Sequence, residues 1–276
     1  MQWMVLNPSW DNFLYWLIVL SLIVWGLELI FPWRKNQAAF RKGFWKDIFY
    51  MFFNMFLFSL IFFNALSDVG VALFEDALGF FGLSNIIAIE LQLLPNWLEY
   101  IIIILVVDFV QWLTHILMHR WKFLWSFHKV HHSVKEMGFA AHLRYHWMEN
   151  VVYKTNVFIA LSFIGYGVEE FFFVHVITLA IGHLNHANLN LDYGPLKYIF
   201  NNPKMHIWHH AKTVPSTFSG GVNFAISFSF WDYIFRTAHI PKEGRDIELG
   251  FEGEEALPQD IGRQLIWPLK QQKIDN

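Results

Sequence analysis

HILMHRWKFLWSFHKVHH, residues 115 to 132, decides how the rest of the chain is read. It carries five of the fourteen histidines, spaced as His-x-x-x-His (His115, His119) and His-x-x-His-His (His128, His131, His132). A third box, His206, His209 and His210, repeats the second pattern further along. Residues three and four apart share one face of a helix, so each box presents its imidazoles in one direction as a nitrogen donor site. Histidine is an ordinary helix-surface residue, and one pair at this spacing carries little weight. Three boxes together carry a good deal, and their eight imidazoles are too many for one ion. His119 and His128 fall on opposite faces of a straight helix at roughly 3.6 residues per turn. The chain is therefore expected to bend between Arg120 and Phe127 if both boxes serve one centre.

The surroundings are those of a bilayer protein. Of 276 residues, 55% are hydrophobic, 19% aromatic and only 16% charged. Cysteine is absent, which excludes disulfides, thiolate zinc sites and cysteine-ligated iron–sulfur clusters. A redox metal would have to be held by nitrogen and oxygen. The formal charge of −3 points to no partner, and no basic cluster interleaved with aromatics suggests nucleic acid.

Charge placement sets an expected topology. Lys and Arg are missing from residues 1–33 and 47–119, while Arg34, Lys35, Arg41, Lys42 and Lys46 crowd the segment between. By the positive-inside rule that segment is cytoplasmic. Phe13 to Phe31 then reads as a first span with its N-terminus outside, an uncleaved helix because no basic region precedes it. Ile48 to Leu66 is the second span, and Tyr100 to Met118 the third, running inward. Residues 68–98 carry acids and no bases, as suits a helix lying in the outer interface. Phe158–Ile164 and Phe171–Leu184 form the arms of a membrane-inserted helical hairpin whose ends are both cytoplasmic. From Leu196 onward the chain forms a cytosolic cap. The expectation is thus an all-α integral membrane bundle of three spans plus a hairpin, in one domain over 1–276. Its parts are N-terminal helices (1–99), a histidine-box core (100–240) and a cytosolic tail (241–276). The histidine site and C-terminus lie in the cytoplasm.

Two residues near the boxes stand out. Asp108, Trp112, His115 and His119 form one stripe of the third span, and an intramembrane carboxylate is usually functional and partnered inside the protein. Asp108 is read equally as a metal ligand or as a hydrogen-bonded structural acid. The second hairpin arm ends with His183 and His186, delivering another pair to the same side. All-nitrogen sites suit Zn, Cu, Ni or Fe, and a structural zinc needs only four ligands in a closed shell. Eight or nine imidazoles suit two adjacent ions with open positions.

These residues carry a resemblance. Asp108 ahead of HILMH, LWSFHKVHHS (124–133), RYHWME (144–149), HANLNL (186–191), NNPKMHIWHH (201–210) and GGVNFAISFSFWDYIFRT (220–237) resemble the fatty acid hydroxylase superfamily. These are the sterol desaturase-like membrane enzymes with a non-haem di-iron centre. The resemblance implies that His115, His119, His128, His131, His132, His206, His209 and His210 are iron ligands, with His186 the additional one. His183 and Asp108 are carried as further catalytic candidates, while His142, His175 and His239 are left as structural or surface residues. Trp147 stands where members have Pro, and Arg144, His146 and Glu149 are read as a cluster bracing the cap.

The implied chemistry is hydroxylation of an unactivated C–H bond of a lipid with O₂ as co-substrate. The lipid would be a fatty acyl chain, a sterol, a sphingoid base or an ether lipid. Two Fe ions are the expected cofactor, with zinc competing for the same imidazoles in recombinant preparations. Desaturation is the alternative outcome, and a non-catalytic metal-binding membrane protein the alternative class. Electrons are expected from a separate donor, a reductase with a ferredoxin or a cytochrome b5-like protein. Substrate is expected to arrive from the bilayer past Trp112 and Leu184.

Overall fold

The computed structural model describes residues 13–55, 64–82, 91, 94–166, 168–218 and 220–269. The described residues are all-helical, their only extended pairings being isolated bridges at Pro32–Leu189 and Ala211–Leu249. The helices are α1 (Phe13–Ile30), α2 (Phe44–Phe52), α3 (Asn64–Phe80), α4 (Asn96–Arg120), α5 (Lys122–His132), α6 (Trp147–Phe163), α7 (Val168–His186), α8 (Pro203–His209), α9 (Phe230–Ile234) and α10 (Ile261–Ile266).

Two of these, α1 and α4, are long and apolar enough to cross a membrane. At about 1.5 Å per residue α4 extends roughly 37 Å, the thickness of a hydrocarbon core with some to spare. On α1, Leu17, Ser21 and Val24 face the bundle, while Ile18, Val19, Leu22 and Ile23 are exposed. A continuous uncovered apolar face of this kind fits contact with lipid.

The expected three spans plus hairpin are found only in part, because two candidate spans are present among the described residues. The middle of the expected second span, residues 56–63, lies outside the described residues, as do 83–90 of the expected interfacial segment and 270–276 of the tail. Of the interfacial segment, α3 is helical, with Leu73 exposed along it and Phe80 exposed at its end. The hairpin arms are real helices, α6 and α7, joined by a turn at Gly165. They are longer and more polar than the apolar runs, since α6 starts at Trp147 and includes Glu149, Asn150, Lys154 and Asn156.

Local chemistry sets the elements that matter for the histidines. Trp121 adopts an extended conformation (φ −93°, ψ 112°) between α4 and α5, which is the bend that the spacing of His119 and His128 demands. A capping box starts α6: His146 Nδ1 accepts from the Met148 amide (3.1 Å), and Glu149 Oε1 accepts from the His146 amide (3.0 Å). Asn202 caps α8 by accepting from the Met205 amide at 3.0 Å, with Pro203 in the first turn.

Packing then gathers the helices. Ile103 and Val107 of α4 pack with Val157 and Leu161 of α6 and Val174 of α7. Leu17 of α1 and Met51 of α2 meet Leu143, in the turn before α6, and Leu179 of α7. Arg41 and Arg144 both donate to the buried Asp47 carboxylate, and Arg144 also donates to the Gly43 carbonyl at 3.1 Å. A buried ion cluster holds only when its hydrogen bonds are satisfied, and this one ties α2 to the RYHWME segment.

Candidate metal centre

The bend at Trp121 folds α5 back beside the end of α4, and α8 closes over both from the cap. Nine histidines meet there in two groups. Group one is His115, His119, His128, His132 and His209; group two is His131, His186, His206 and His210. Within each group the donor atoms lie within 4.8 Å of one another.

Each His-x-x-His-His box serves both groups. On α5, His128 and His132 stand four apart on one face and belong to group one, while His131 turns to group two. On α8 and its cap the relation reverses: His206 and His210 belong to group two and His209 to group one. The groups are interlocked, with the His132 and His210 rings stacked across the boundary at 4.4 Å between centroids.

The hydrogen bonds show which nitrogen faces inward. His131 Nδ1 donates to the Arg144 carbonyl (3.0 Å), and His186 Nδ1 to the Gly182 carbonyl (2.8 Å). A carbonyl can only accept, so both rings carry their proton on Nδ1 and both Nε2 atoms carry lone pairs. Those two Nε2 atoms stand 3.3 Å apart. Two facing lone pairs repel, and a cation between them turns the repulsion into coordination. In group one His115 Nδ1 donates to the Phe224 carbonyl (2.7 Å) and His209 Nδ1 to the Val222 carbonyl (2.8 Å), while His128 Nδ1 lies 2.6 Å from the Glu149 carboxylate. Nε2 of His119, His132 and His209 has no hydrogen-bond partner among the described residues although each is buried. The arrangement fits a metal, because ligating histidines lean their outer nitrogen on a carbonyl or carboxylate in this way.

Burial prepares the donors. It pushes His131 down to about 3 and drives His128, His132, His206, His209 and His210 well below the ordinary imidazole range. These imidazoles are neutral at pH 7, and a neutral imidazole is the form that ligates. Burial also raises Glu149 to about 8.

Asp108 and His183 are placed outside both groups. Asp108 accepts from the Ser227 amide (2.9 Å), the Phe228 amide (3.2 Å) and Trp231 Nε1 (3.1 Å). It thereby anchors the segment that supplies the Phe224 and Val222 carbonyls. Asp232 does the same from the other side, accepting from the Phe224 and Ala225 amides and from Trp112 Nε1 (3.1 Å). His183 contacts Ser21 Oγ and His142 Nδ1, each at 3.0 Å. His142 packs so closely on Gly182 that a Cβ there would sit 2.2 Å from its ring, so the carbonyl that orients His186 belongs to a residue with no room for a side chain.

Sequence reasoning missed Glu149 as the partner of His128. Its signal was the spacing from His146, three residues earlier, which is a capping-box spacing. The orienting carbonyls have no side-chain signature. His142 was also set aside, yet its ring lies 5.2 Å from that of His186.

A cavity of about 140 Å³ opens beside the two groups, reached by His115, His128, His131, His186 and His206. Its other walls come mainly from α4, α6 and α7, and the lining differs from the one expected. Gln111, not Trp112, faces it on α4, because Trp112 turns toward Asp232 and Phe235 in the cap. Leu179 and Thr178 line it on α7, while Leu184 packs with Val24 and Phe139.

Comparison with known proteins follows this geometry. The fatty acid hydroxylase family matches residues 100–237, half of the chain and the part that holds every histidine of both groups. Ornithine lipid hydroxylase OlsE of Rhizobium tropici is 28% identical over 162 residues, 59% of this chain and 48% of that protein. Alkylglycerol monooxygenase of Caenorhabditis elegans is 28% identical over 131 residues (47% of this chain, 25% of that protein), and that of Danio rerio 29% identical over 176 residues (63% and 35%). The match thus spans less than half the length of each of these relatives. No solved structure matches. The chain belongs to the fatty acid hydroxylase family, the sterol desaturase-like proteins with histidine-rich metal-binding clusters.

Proposed function

We propose that the protein is a membrane-bound di-iron oxygenase that hydroxylates an unactivated C–H bond of a lipid. The observation that supports this best is the pair of interlocked imidazole groups sharing one cavity with the membrane-side helices. Group one would hold one iron through His115, His119, His128, His132 and His209, and group two the other through His131, His186, His206 and His210. Irons held there would supply oxygen activation, in which one atom of O₂ would enter the C–H bond and the other would leave as water, with two electrons from a donor and two protons.

The chain's own contribution is positional. The Arg144, Gly182, Val222 and Phe224 carbonyls and the Glu149 carboxylate fix five rings in the ligating tautomer. Asp108 and Asp232 hold the cap segment rigid, so that its two carbonyls stay aimed at His115 and His209. The cap covers the histidines from one side, and α4, α6 and α7 wall the cavity on the other, so substrate meets the site out of bulk water. Similarity to an ornithine lipid hydroxylase and to alkylglycerol monooxygenases supports a lipid substrate.

In this reading α1 and α4 cross the bilayer together with the second span expected from the sequence, the N-terminus is outside, and the histidine site faces the cytoplasm, where a reductase with a ferredoxin or cytochrome b5-like protein delivers electrons. Desaturation needs the same site and a second hydrogen removal. Lipid extracts of cells with and without the chain, grown under ¹⁸O₂, test the reading. A lipid gaining one ¹⁸O atom is expected; a lipid losing two hydrogens without ¹⁸O would establish desaturation, and an unchanged lipid profile with iron bound would refute both.

A further inference from the structure

The cap has two unlike surfaces. On one, Lys212 pairs with Glu248 (2.6 Å) and Arg245 with Asp246 (2.8 Å), as suits a face in water. On the other, Leu196, Tyr198, Ile199 and Phe200 stand exposed, as do Ile234 (62%) and Phe235 at the end of α9. The two stretches are joined, since the Tyr198 ring lies 5.1 Å from that of Tyr233 and Ser229 Oγ donates to the Lys197 carbonyl at 2.6 Å. Residues 196–200 and 233–236 contain no acid, and their charges, Lys197 and Arg236, are both basic. An exposed apolar patch of this kind marks an interaction surface.

What covers the patch follows from where it is attached. Exposed tryptophans stand at both ends of α4, Trp97 and Trp121, with Tyr100 and Phe123 beside them. Helical rise puts them roughly 36 Å apart, the spacing of aromatic belts flanking a hydrocarbon core of about 30 Å. Asp108 lies about 20 Å along the axis from Trp121, well past the headgroups. At that level it accepts from the Ser227 and Phe228 amides and from Trp231 Nε1, and the ring of its neighbour Phe109 lies 4.8 Å from Trp231 and 6.3 Å from Phe235. Leu113 and Leu117, on the same helical stripe as Phe109, are exposed. The apolar face of the cap therefore continues the uncovered stripe of α4.

The backbone of this segment is prepared for such a depth. A non-helical stretch survives among acyl chains only where protein groups satisfy its amides and carbonyls. Residues 222–228 are non-helical. Asp232 takes the Phe224 and Ala225 amides, as Asp108 takes those of Ser227 and Phe228. Asn201 Nδ2 donates to the Ala225 carbonyl (2.6 Å), Asn185 Nδ2 to the Ile226 carbonyl (2.8 Å) and the Asn201 amide to the Ser227 carbonyl (2.8 Å). His115 and His209 occupy the Phe224 and Val222 carbonyls. In a loop facing water, solvent would serve these groups; here buried side chains take its place.

Resting on the reading above that α4 crosses the bilayer, we propose that the cap is not wholly cytosolic but re-enters the membrane. Residues 196–200 and 222–235 are seated in the cytoplasmic leaflet, with the exposed face of Leu196, Tyr198, Ile199, Phe200, Ile234 and Phe235 against lipid acyl chains. Lys197 and Arg236 extend from its margin toward the phosphates.

Single cysteines test this cleanly, because the chain has none of its own. Ile199→Cys, Ile234→Cys, Leu113→Cys on α4 and Glu252→Cys on the charged face are each labelled with a fluorophore. Each protein is placed, one chain per disc, in phosphatidylcholine nanodiscs. Quenching by phosphatidylcholine bearing a nitroxide in mid-chain is compared with quenching by aqueous iodide. Labels at 199 and 234 are expected to lose fluorescence to the nitroxide lipid and to resist iodide, as at 113, with the reverse at 252. Quenching of 199 and 234 by iodide, while 113 answers to lipid, would overturn the inference. So would iodide quenching that disappears in discs holding two chains, which would put a second copy on the face. A label at 113 that answers only to iodide would instead refute the spanning of α4, and the labels at 199 and 234 would still decide whether the cap meets lipid.

Discussion

The five-histidine and four-histidine groups draw on the same two His-x-x-His-His boxes, yet they meet the cavity differently. Three of the four members of group two, His131, His186 and His206, reach the cavity, against two of five in group one, His115 and His128. Group one also has the only carboxylate among the described ring acceptors, Glu149 on His128, whereas His131 and His186 lean on carbonyls. The difference suggests a division of labour: a well-saturated group anchors the centre, and a more open one faces substrate.

That contrast is sharpest in ligand deletion. His210→Ala leaves group two with three imidazoles and His132→Ala leaves group one with four, enough for a closed tetrahedral shell. After chelator treatment His210→Ala is expected to keep one metal ion per chain and His132→Ala two. Equal losses from both variants would erase the distinction.

A smaller effect is expected from Glu149→Ala. Loss of an orienting partner typically costs about 10- to 100-fold in metal affinity. Competition with a metal-buffering chelator should show that loss for the group-one ion only. Weakening of both ions equally would mean that Glu149 acts through the α6 cap and the fold.

The imidazoles also fix how the iron-free protein responds to acid. His131 falls from an ordinary value of 6.5 when unfolded to about 3 when folded, through burial. Its folded pKa is depressed, so the unfolded chain binds more protons, and the stability present above pH 6.5 is lost as pH falls toward 3. At pH 5 His131 alone accounts for roughly 2 kcal/mol, and the other buried histidines of α5 and α8 act in the same direction. Thermal unfolding of iron-free protein in detergent should therefore move to lower temperature between pH 7 and pH 5, and less so with metal bound. A flat profile would show that these rings are solvated.

The smallest change is expected at His183, which bonds to Ser21 and His142 outside both groups. His183→Gln should keep two metals and cost about 1 kcal/mol of stability from a remade hydrogen bond. Loss of a metal would move His183 into group two.

The sequence showed which residues share a helix face and where the chain had to turn, and Trp121 makes that turn. It did not show which face meets which. The three-residue step from His128 to His131 and the four-residue step to His132 look equivalent in one helix, and only α8 lying across α5 assigns them to different groups. Trp112 shares a stripe with His115 but leans into the cap, because Asp232 offers its indole a partner there. The first half of α6 precedes the apolar run expected from Phe158, and its Glu149, Asn150 and Lys154 line the cavity.

Metal content of the intact protein, combined with iron X-ray absorption, tests the central claim most directly. The account predicts two irons per chain, each in a shell dominated by imidazole nitrogen, with a second iron visible as a near neighbour of the first. One iron per chain under iron-replete conditions, or two irons with no iron neighbour, would contradict it.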